Sequence, residues 1–449
     1  MHQKLMMKKR REQMYNYRFV AQIVLEAVTP LKTASGKSDF TVDAPVLKDW
    51  NGLPMILGTS IAGVLRKDFN ESEELENDVF GKDNGSRLLV SNAHLLDETL
   101  VLHHGLGIKD KSDFLKKYEN LPIREHTAIT DKGVAKEHSK FDEEVVFAGS
   151  RFKFELELVG NEDDEKTWQK ILALLNSPLF RLGGGSSKGF GEMKVISCFE
   201  HTYMMGKDYA TKPSDLNTVK GTDEKHDSNE NHTTYKINIK PDSFFSFGAG
   251  FGDDEVDDVA VTEELVCWDK TEGYFSEKQI LLPASSLKGA LSHRVAFHFN
   301  KNSGNTIEKI LSEGNELEDF IGENNEAVFV IFGASKGHKN EQKGEALFSD
   351  MFKEFNESEV KIFDHVKIDR FTGGAMDSAL YNEKVMAQRD VWSIEIVLAK
   401  SLDGKIKEAF EDTLDDLCKG LLPLGGKVNR GHGVFEGSWS MEEIKNVEK

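Results

Sequence analysis

A chain of 449 residues is too long for one ordinary hydrophobic core, and this length predicts two or three domains. The formal net charge of −20 disfavours a protein that simply coats nucleic acid. Much of the acid is concentrated in three segments, 70–78, 222–232 and 252–258, so the bulk charge leaves room for a local basic groove.

No run of the sequence approaches the roughly 18 apolar residues that span a membrane. The basic start of the chain is not followed by the apolar segment that is typical of a secretion signal. Cys198, Cys267 and Cys418 lie far apart and form no CxxC pair, which argues against a zinc site, although distant thiols could still meet in space. We therefore expect a cytoplasmic protein with no membrane partner.

The first half of the chain predicts alternating strands and helices. The segment 18–28 has the period-two alternation of a strand, and a short helix follows with Thr59 and Ser60 as its expected N-cap residues. Ser285 and Ser286 are the expected N-cap residues of the equivalent helix in the second half. Strands are predicted around 87–95 and over 151–158, and an amphipathic helix over 165–176. A glycine-rich segment, "RLGGGSSKGFGEMKV" (181–195, the first glycine loop), then leads into a last strand.

The second half repeats these features in the same order. The segment 57–66 is echoed by 283–294, 79–95 by 331–352, 127–146 by 366–386, and the first glycine loop by 422–437, the second glycine loop. Such ordered echoes indicate a tandem duplication. Each half has the order βαββαβ, which predicts an α+β fold of two ferredoxin-like, RRM-like domains over 1–205 and 233–449. Residues 206–232 are polar and predict a mobile linker.

The glycine loops and the helix starts offer the chemistry of a phosphate site. Glycines allow close approach of a backbone, and helix N-termini present N–H donors to phosphate oxygens. The alternative is structural, a tight turn between a helix and a strand. The residues offered for phosphate contacts are Ser60, Arg66, Gly184, Gly185, Lys188, Ser286, Lys288, Gly426 and Arg430.

Together these motifs resemble the RAMP superfamily, and within it the backbone subunits of type III CRISPR effector complexes. The resemblance rests on 43–66, 283–291, 368–385 and both glycine loops, and covers nearly the whole chain. It implies subunits that bind a CRISPR guide RNA along its backbone, insert a thumb hairpin between bases, and work with complementary target RNA and other effector subunits. The thumbs fall on roughly 123–146 and 365–386.

The resemblance also implies specific residues for wedging and for cleavage. Arg370 and Phe371 lie in the second thumb, where Phe371 with Met376 could unstack a base step, as could Val134 in the first. An aspartate on the loop after the first strand cleaves the target RNA with a divalent metal, Mg²⁺ or Mn²⁺, and this position falls on Asp43.

The chain departs from the family pattern in two places. Ala62 replaces the lysine that Lys288 supplies in the second half. Alignment of Val46-Leu47 with Leu265-Val266 places Thr262 opposite Asp43, so that Asp254 or Asp258 is expected to substitute. Two alternatives remain open: a non-catalytic structural or capping subunit of the same complex, and a stand-alone endoribonuclease that processes guide RNA.

Overall fold

The computed structural model describes residues 15–36, 42–82, 84–108, 112–130, 133–228, 230–270, 272–334, 337–339, 341–402 and 404–444. None of the helices within these ranges combines the length and apolar character that crossing a bilayer requires. The architecture is a mixed α+β fold with several antiparallel sheets, as the sequence predicts.

The first half has one large sheet. The helices are α1 (Gly58–Asp68), α2 (Glu73–Phe80), α3 (Asp113–Lys117) and α4 (Glu165–Leu174). The strands are β1 (Tyr17–Ala27), β2 (Met55–Ile56), β3 (Leu88–Val90), β4 (Ala93–Leu95), β5 (Ile123–His126), β6 (Phe141–Glu144), β7 (Arg151–Gly160), β8 (Met193–Met204) and β9 (Thr222–Asp223). The sheet order is β2-β4-β7-β1-β8-β9, with β3 also on β7. The first strand therefore lies between the third and the last strand of the βαββαβ series.

The second half repeats this arrangement in the sheet β17-β21-β10-β22. Its helices are α5 (Ala284–Asn302), α6 (Ile307–Ser312), α7 (Glu326–Phe332) and α8 (Gly404–Cys418). Its strands are β10 (His232–Pro241), β11 (Thr262–Glu263), β12 (Val266–Trp268), β13 (Gly273–Phe275), β14 (Gln279–Leu282), β15 (Gly333–Ala334), β16 (Gln342–Lys343), β17 (Ala346–Phe348), β18 (Met351–Glu354), β19 (Val360–Ile368), β20 (Ala375–Met386), β21 (Trp392–Leu398) and β22 (Phe435–Ile444). The predicted duplication is thus visible in the strand order of both halves.

Short 3₁₀ helices complete the elements: Glu162–Asp164, Tyr209–Thr211, Leu317–Phe320, Gly322–Asn324, Glu357–Glu359 and Val428–Arg430. The central strands of the two halves are buried differently. Strand β10 alternates between buried and exposed residues, as a sheet with one solvated face requires. Strand β1 is buried almost throughout, because both faces of its sheet are covered.

The segment predicted as a mobile linker, 206–232, packs against the first sheet. Strand β9 joins the edge of the first sheet beside β8. Asn217 bonds the backbone of Leu102 through both ends of its amide, at 2.8 and 2.7 Å, and Leu216 packs against Leu102 in a small cluster with Val24 and Leu96. The described part of 206–232 is therefore held against the first half by specific contacts.

The predicted serine N-caps are wrong. Helices α1 and α5 start after Leu57 and Pro283, which have extended backbone conformations and no side-chain capping bond. Ser60 and Ser286 lie inside the first turns of these helices and are exposed. The equivalent of a cap in α5 comes from elsewhere, since the Ala284 N–H donates to Asp350 Oδ1 at 2.8 Å.

A buried ion-pair cluster joins the halves. Arg124 on β5 donates from Nη2 to Glu263 Oε2 at 2.8 Å and from Nη1 to Asp350. All three side chains are buried. Since breaking a buried pair leaves an uncompensated charge, this cluster fixes β5 against the start of α5.

Candidate nucleic-acid interface

The two glycine loops occupy equivalent positions and make equivalent contacts. The Gly184 N–H donates to the Lys32 carbonyl at 2.8 Å, and the Gly426 N–H donates to the Ser246 carbonyl at 2.8 Å. A Cβ on the preceding Gly183 or Gly425 would lie 2.2 or 2.4 Å from the same two carbonyls. These glycines are required because each loop packs tightly against the segment that follows the first strand of its half.

This packing changes the role predicted for the loop amides. The N–H groups of Gly184 and Gly426 are occupied by protein carbonyls, and Gly185, at φ +73°, closes the turn by accepting from the Lys188 N–H at 2.7 Å. At these three glycines the structural explanation is sufficient. What the loops present to a ligand is the cationic side chains that they carry.

A hairpin stands beside each loop. The first hairpin is β5–β6 with the described parts of its connection, 127–130 and 133–140, and the second hairpin is β19–β20 with the turn 369–374. At its base, the first places His126 opposite Phe141 with rings stacked at 5.0 Å, and the second places His365 opposite Tyr381 at 4.9 Å. The predicted thumb segments are thus hairpins at matching positions.

Each glycine loop places cations over the hairpin aromatic ring. The Lys188 ammonium lies 5.7 Å from the centre of the Phe141 ring. In the second half Lys427 and Arg430 lie 5.9 and 5.1 Å from the centre of the Tyr381 ring. These separations are within the range of cation–π attraction, which is strongest where water is partly excluded.

A buried glutamate anchors each hairpin to its surroundings. Glu143 pairs with Lys32, and its carboxylate lies 2.8 Å from His126 Nε2. Glu383 pairs with His365 at 2.8 Å, Lys427 at 2.8 Å and Arg430 at 3.3 Å. Sequence reasoning missed both glutamates, since each lies in a polar segment where burial of an acid leaves no signal.

Asp43 contacts the base of the first hairpin. Its N–H donates to Asp142 Oδ1 at 2.7 Å, and the Asp142 N–H donates to Asp43 Oδ2 at 3.2 Å. The second half has the same reciprocal pair between Asp257 and Asn382, with both bonds at 3.0 Å. Asp43 and Asp257 are both exposed.

The structure therefore places Asp257, and not Thr262, at the position of Asp43. Leu47 donates to the Thr33 carbonyl at 2.7 Å, as Val261 does to the Phe247 carbonyl at 2.7 Å. The sequence offset between the halves is the same for these pairs as for Asp43 and Asp257. Thr262 lies beyond the loop, in β11, which pairs with β14.

An insertion explains the misplaced alignment. Strands β12 and β13 form a hairpin that packs against the first half, where the Trp268 Nε1–H donates to the Gly149 carbonyl at 2.7 Å. This hairpin follows the aspartate loop. Matching Val46-Leu47 to Leu265-Val266 placed the extra residues before the loop and shifted the register.

Asp258, predicted as a substitute carboxylate, has a different position. It is bridged to Glu383 through the backbone, as Ala44 is to Glu143, and its carboxylate pairs with Lys427 at 2.8 Å. Asp254 is exposed. Asp258 therefore belongs to the ion-pair cluster of the second glycine loop.

Three lysines converge at the first glycine loop. Lys288 of α5 donates to Ser187 Oγ at 3.1 Å, and burial with the nearby charge of Lys188 lowers its pKa to about 8. Burial and the same Lys188 lower the pKa of Lys32. Burial, with the charges of Arg124, Lys188 and Lys32, lowers the pKa of His126 to about 4. Mutually unfavourable cations of this kind favour an anionic ligand.

The first site combines residues of both halves, whereas the sequence predicts a separate site within each half. A Cβ on Gly189 would lie 2.6 Å from the Ala284 Cβ and 2.3 Å from Asp350 Oδ1. The first glycine loop thus meets the start of α5 in the second half. Lys188 and Lys288 are brought together across the two halves by this contact.

The remaining predicted residues have other surroundings. The Arg66 guanidinium donates to Glu76, Asn77 and the Gly81 carbonyl, each at 2.8 Å, so it fastens α1 to α2. Arg370 and Phe371 lie at the tip of the second hairpin, where the Phe371 side chain is fully exposed. Met376 and Val134 are exposed on the hairpins as well.

Comparison with known protein families shows the family to which the chain belongs. The model of the RAMP superfamily matches residues 24–194 and again 276–436, once in each half. The protein belongs to the RAMP superfamily, a group of CRISPR-associated RNA-binding proteins, and carries two tandem copies of its unit. No curated protein gives a significant match to the chain.

Proposed function

We propose that this chain is a double backbone subunit of a type III CRISPR interference complex, with one guide-RNA contact site in each half. The observation that carries the proposal is the recurrence of one constellation: a glycine loop with cations, a hairpin base with a His–aromatic stack, and an exposed aspartate bonded to that hairpin. Two copies on one chain suit a ligand that repeats along its length, as an RNA backbone does.

The stacking of the halves supports the same proposal. The first glycine loop docks on the start of α5, whereas the second glycine loop leaves Val428 and Arg430 exposed. The start of α1, the counterpart of α5, leaves Leu57 and Ser60 exposed. The exposed second glycine loop is the counterpart of one side of the contact that joins the halves, and the exposed start of α1 is the counterpart of the other side. This is the arrangement of a head-to-tail repeat.

RNA would be held by its phosphates in this arrangement. Lys188 and Lys288 supply the charge in the first site, and the guide bases stay free to pair, so the protein reads backbone shape. Phe371 at the tip of the second hairpin offers an apolar surface that can enter a base step. The acidic segments 70–78 and 222–232 lie outside the sequence of both glycine loops, whereas Asp258 of the third acidic segment pairs with Lys427 of the second loop.

Target cleavage is assigned to Asp43, with Asp257 as its counterpart. Asp43 with Asp142, and Asp257 with Asn382, present the oxygen donors that Mg²⁺ and Mn²⁺ prefer, so the residues fit the implied metal. When bound, the cation would stabilise the charge that develops on the scissile phosphate. The aspartate would hold the RNA 2′-OH proton as a general base, and the hairpin would fix the aspartate in place.

The test is the fragment ladder of the reconstituted complex with magnesium or manganese. Asp43→Ala is expected to remove the product cut beside the first half while guide binding persists. An unaltered ladder would leave the structural-subunit alternative standing. Production of mature guide from precursor RNA by the isolated chain would support the processing alternative, and absence of any co-purifying RNA from the native host would contradict the binding assignment.

A further inference from the structure

A mixed set of metal-ligating groups lies at the β8–β9 edge of the first sheet. Cys198 and Glu200 project from the same face of β8, and His226 follows β9 in the segment 206–232. One ligand atom from each side chain lies within 4.8 Å of the other two. Cys198 is buried, and Glu200 and His226 are nearly so.

After β8 the chain turns back over this strand and brings His226 beside Cys198 and Glu200. Gly221, at φ +113°, would place a Cβ 1.9 Å from the Glu200 carbonyl, so the turn passes directly over β8. The Cys198 N–H then donates to Asp223 Oδ1 at 2.8 Å, and the Glu224 N–H donates to the Cys198 carbonyl at 3.0 Å. These bonds position the segment independently of the three side chains.

The orientation of the ligands is also fixed by neighbours. The Trp168 Nε1–H of α4 donates to Glu200 Oε2 at 3.0 Å, and His226 Nε2 contacts Glu200 Oε1. The carboxylates of Glu200 and Asp223 both lie beside Cys198. A cation bound among these groups would offset this excess of negative charge.

We propose that Cys198, Glu200 and His226 form a structural site for a thiophilic divalent cation, with Zn²⁺ as its ligand. A sulfur, an imidazole nitrogen and a carboxylate oxygen form the donor set that zinc accepts, whereas magnesium takes oxygen ligands. Tetrahedral zinc requires ligand atoms about 3.3–3.8 Å apart. The three ligand atoms lie within 4.8 Å of one another, and His226 Nε2 and Glu200 Oε1, which are in direct contact, would have to separate to admit the cation. Asp223 or a water molecule would supply the fourth ligand.

This site is separate from the proposed RNA contacts, and it would fasten 206–228 to the first half. Its presence was not expected from the sequence, because the cysteine and histidine lie far apart and on elements joined only by folding. The test therefore needs no RNA, and its outcome does not depend on the proposed function.

The experiment measures the metal directly in the full chain. Protein dialysed against trace zinc is expected to retain one equivalent by elemental analysis. After exchange with Co²⁺, a sulfur-to-cobalt charge-transfer band is expected in the near-ultraviolet. Both signals should be lost in Cys198→Ser and His226→Gln, and retained in Cys418→Ser, which removes a half-buried thiol from α8.

A second measurement covers the case in which a variant folds poorly. Chelation of the wild-type protein should increase proteolytic cleavage within 206–228 and leave the rest of the chain protected. No retained zinc and no cobalt–sulfur band in the wild-type protein would overturn the proposal, and so would equal zinc in the wild type and both ligand variants. The contacts among Trp168, Glu200 and His226 would then be a hydrogen-bond network alone.

Discussion

Asp43 and Asp142 bond each other reciprocally, backbone N–H to carboxylate in both directions, at 2.7 and 3.2 Å. The bonds tie the loop after the first strand to the base of the first hairpin. Asp257 and Asn382 repeat this relationship in the second half. Motion of either hairpin is therefore coupled to the position of an exposed aspartate.

The first prediction concerns the second aspartate. Asp257→Asn is expected to remove one target fragment from the ladder, and Asp43→Asn a different one, because each carboxylate belongs to its own half. Guide binding should persist in both variants, since an exposed carboxylate contributes little to stability. The measurement is gel analysis of labelled target cut by the reconstituted complex.

Asp254→Asn is the matched control for Asp257→Asn. It removes an exposed carboxylate from the same acidic segment and should leave the ladder unchanged. If Asp254→Asn removes the fragment and Asp257→Asn does not, the structural equivalence does not define the cleaving residue. If neither Asp257→Asn nor Asp258→Asn has an effect, the second half only binds.

The glycine loops could be predicted from the sequence, whereas Asp257 and the buried glutamates could not. Both glycine loops were found because several residues of each loop are preserved in order between the halves. Asp257 was missed because one insertion, β12–β13, displaces the register nearby, and a single aspartate among many carries no signal. The buried Glu143 and Glu383 were missed because burial depends on tertiary packing.

The capping of the helices also could not be predicted from local sequence patterns. A Ser-rich helix start predicts a side-chain cap, yet α5 is capped by Asp350, which follows in sequence after two further helices. The composite contact of Lys188 with Lys288 also depends on how the halves pack. Sequence patterns thus predicted the elements and their duplication, whereas contacts between distant elements required the structure.

The second prediction concerns charge at the first glycine loop. Lys188→Ala is expected to weaken guide binding and to reduce the slope of log K against log salt by about one, because one phosphate contact is lost. Arg430→Ala should have a smaller effect, since Arg430 pairs with Glu383. Binding is measured by filter retention over a series of salt concentrations.

Lys166→Ala provides the comparison, because Lys166 is an exposed lysine on α4, outside the loops. It should leave both affinity and salt slope unchanged. Equal losses in Lys166→Ala and Lys188→Ala would indicate a non-specific charge effect. Unchanged binding in Lys188→Ala would reduce the first glycine loop to a structural turn.

The third prediction concerns the tip of the second hairpin. Phe371→Ala should change unfolding free energy by no more than roughly 0.5 kcal/mol, because the side chain is fully exposed and packs on nothing. Protection of the guide near the second half should nevertheless fall, since the wedge is lost. Nuclease footprinting of the complex reports this protection.

Phe297→Ala supplies a control with a half-exposed phenylalanine on α5. Its footprint should match that of the wild-type complex. A footprint unchanged in Phe371→Ala would contradict the wedge assignment, and a large loss of stability would show that the tip packs against the fold.

The fourth prediction concerns the buried Glu383. Burial alone would raise its pKa, but hydrogen bonds from Lys427 and His365 outweigh burial and lower it. A carboxyl whose pKa is lowered by folding stabilises the protein above its unfolded pKa, about 4.3, and loses this contribution as the pH falls through the folded value. Glu383→Gln should destabilise the second half by about 1–3 kcal/mol near neutral pH.

The measurement is urea unfolding of the wild type, Glu383→Gln and Glu395→Gln between neutral pH and pH 3. Glu395 is exposed on β21, so its variant should follow the wild type at every pH. The difference between wild type and Glu383→Gln should be constant above about pH 5 and shrink below about pH 4.3, because only the wild type takes up a proton at this position. A difference that does not change with pH would mean that the glutamine acts through packing alone, and that the charge of Glu383 does not hold the second hairpin to Lys427 and Arg430.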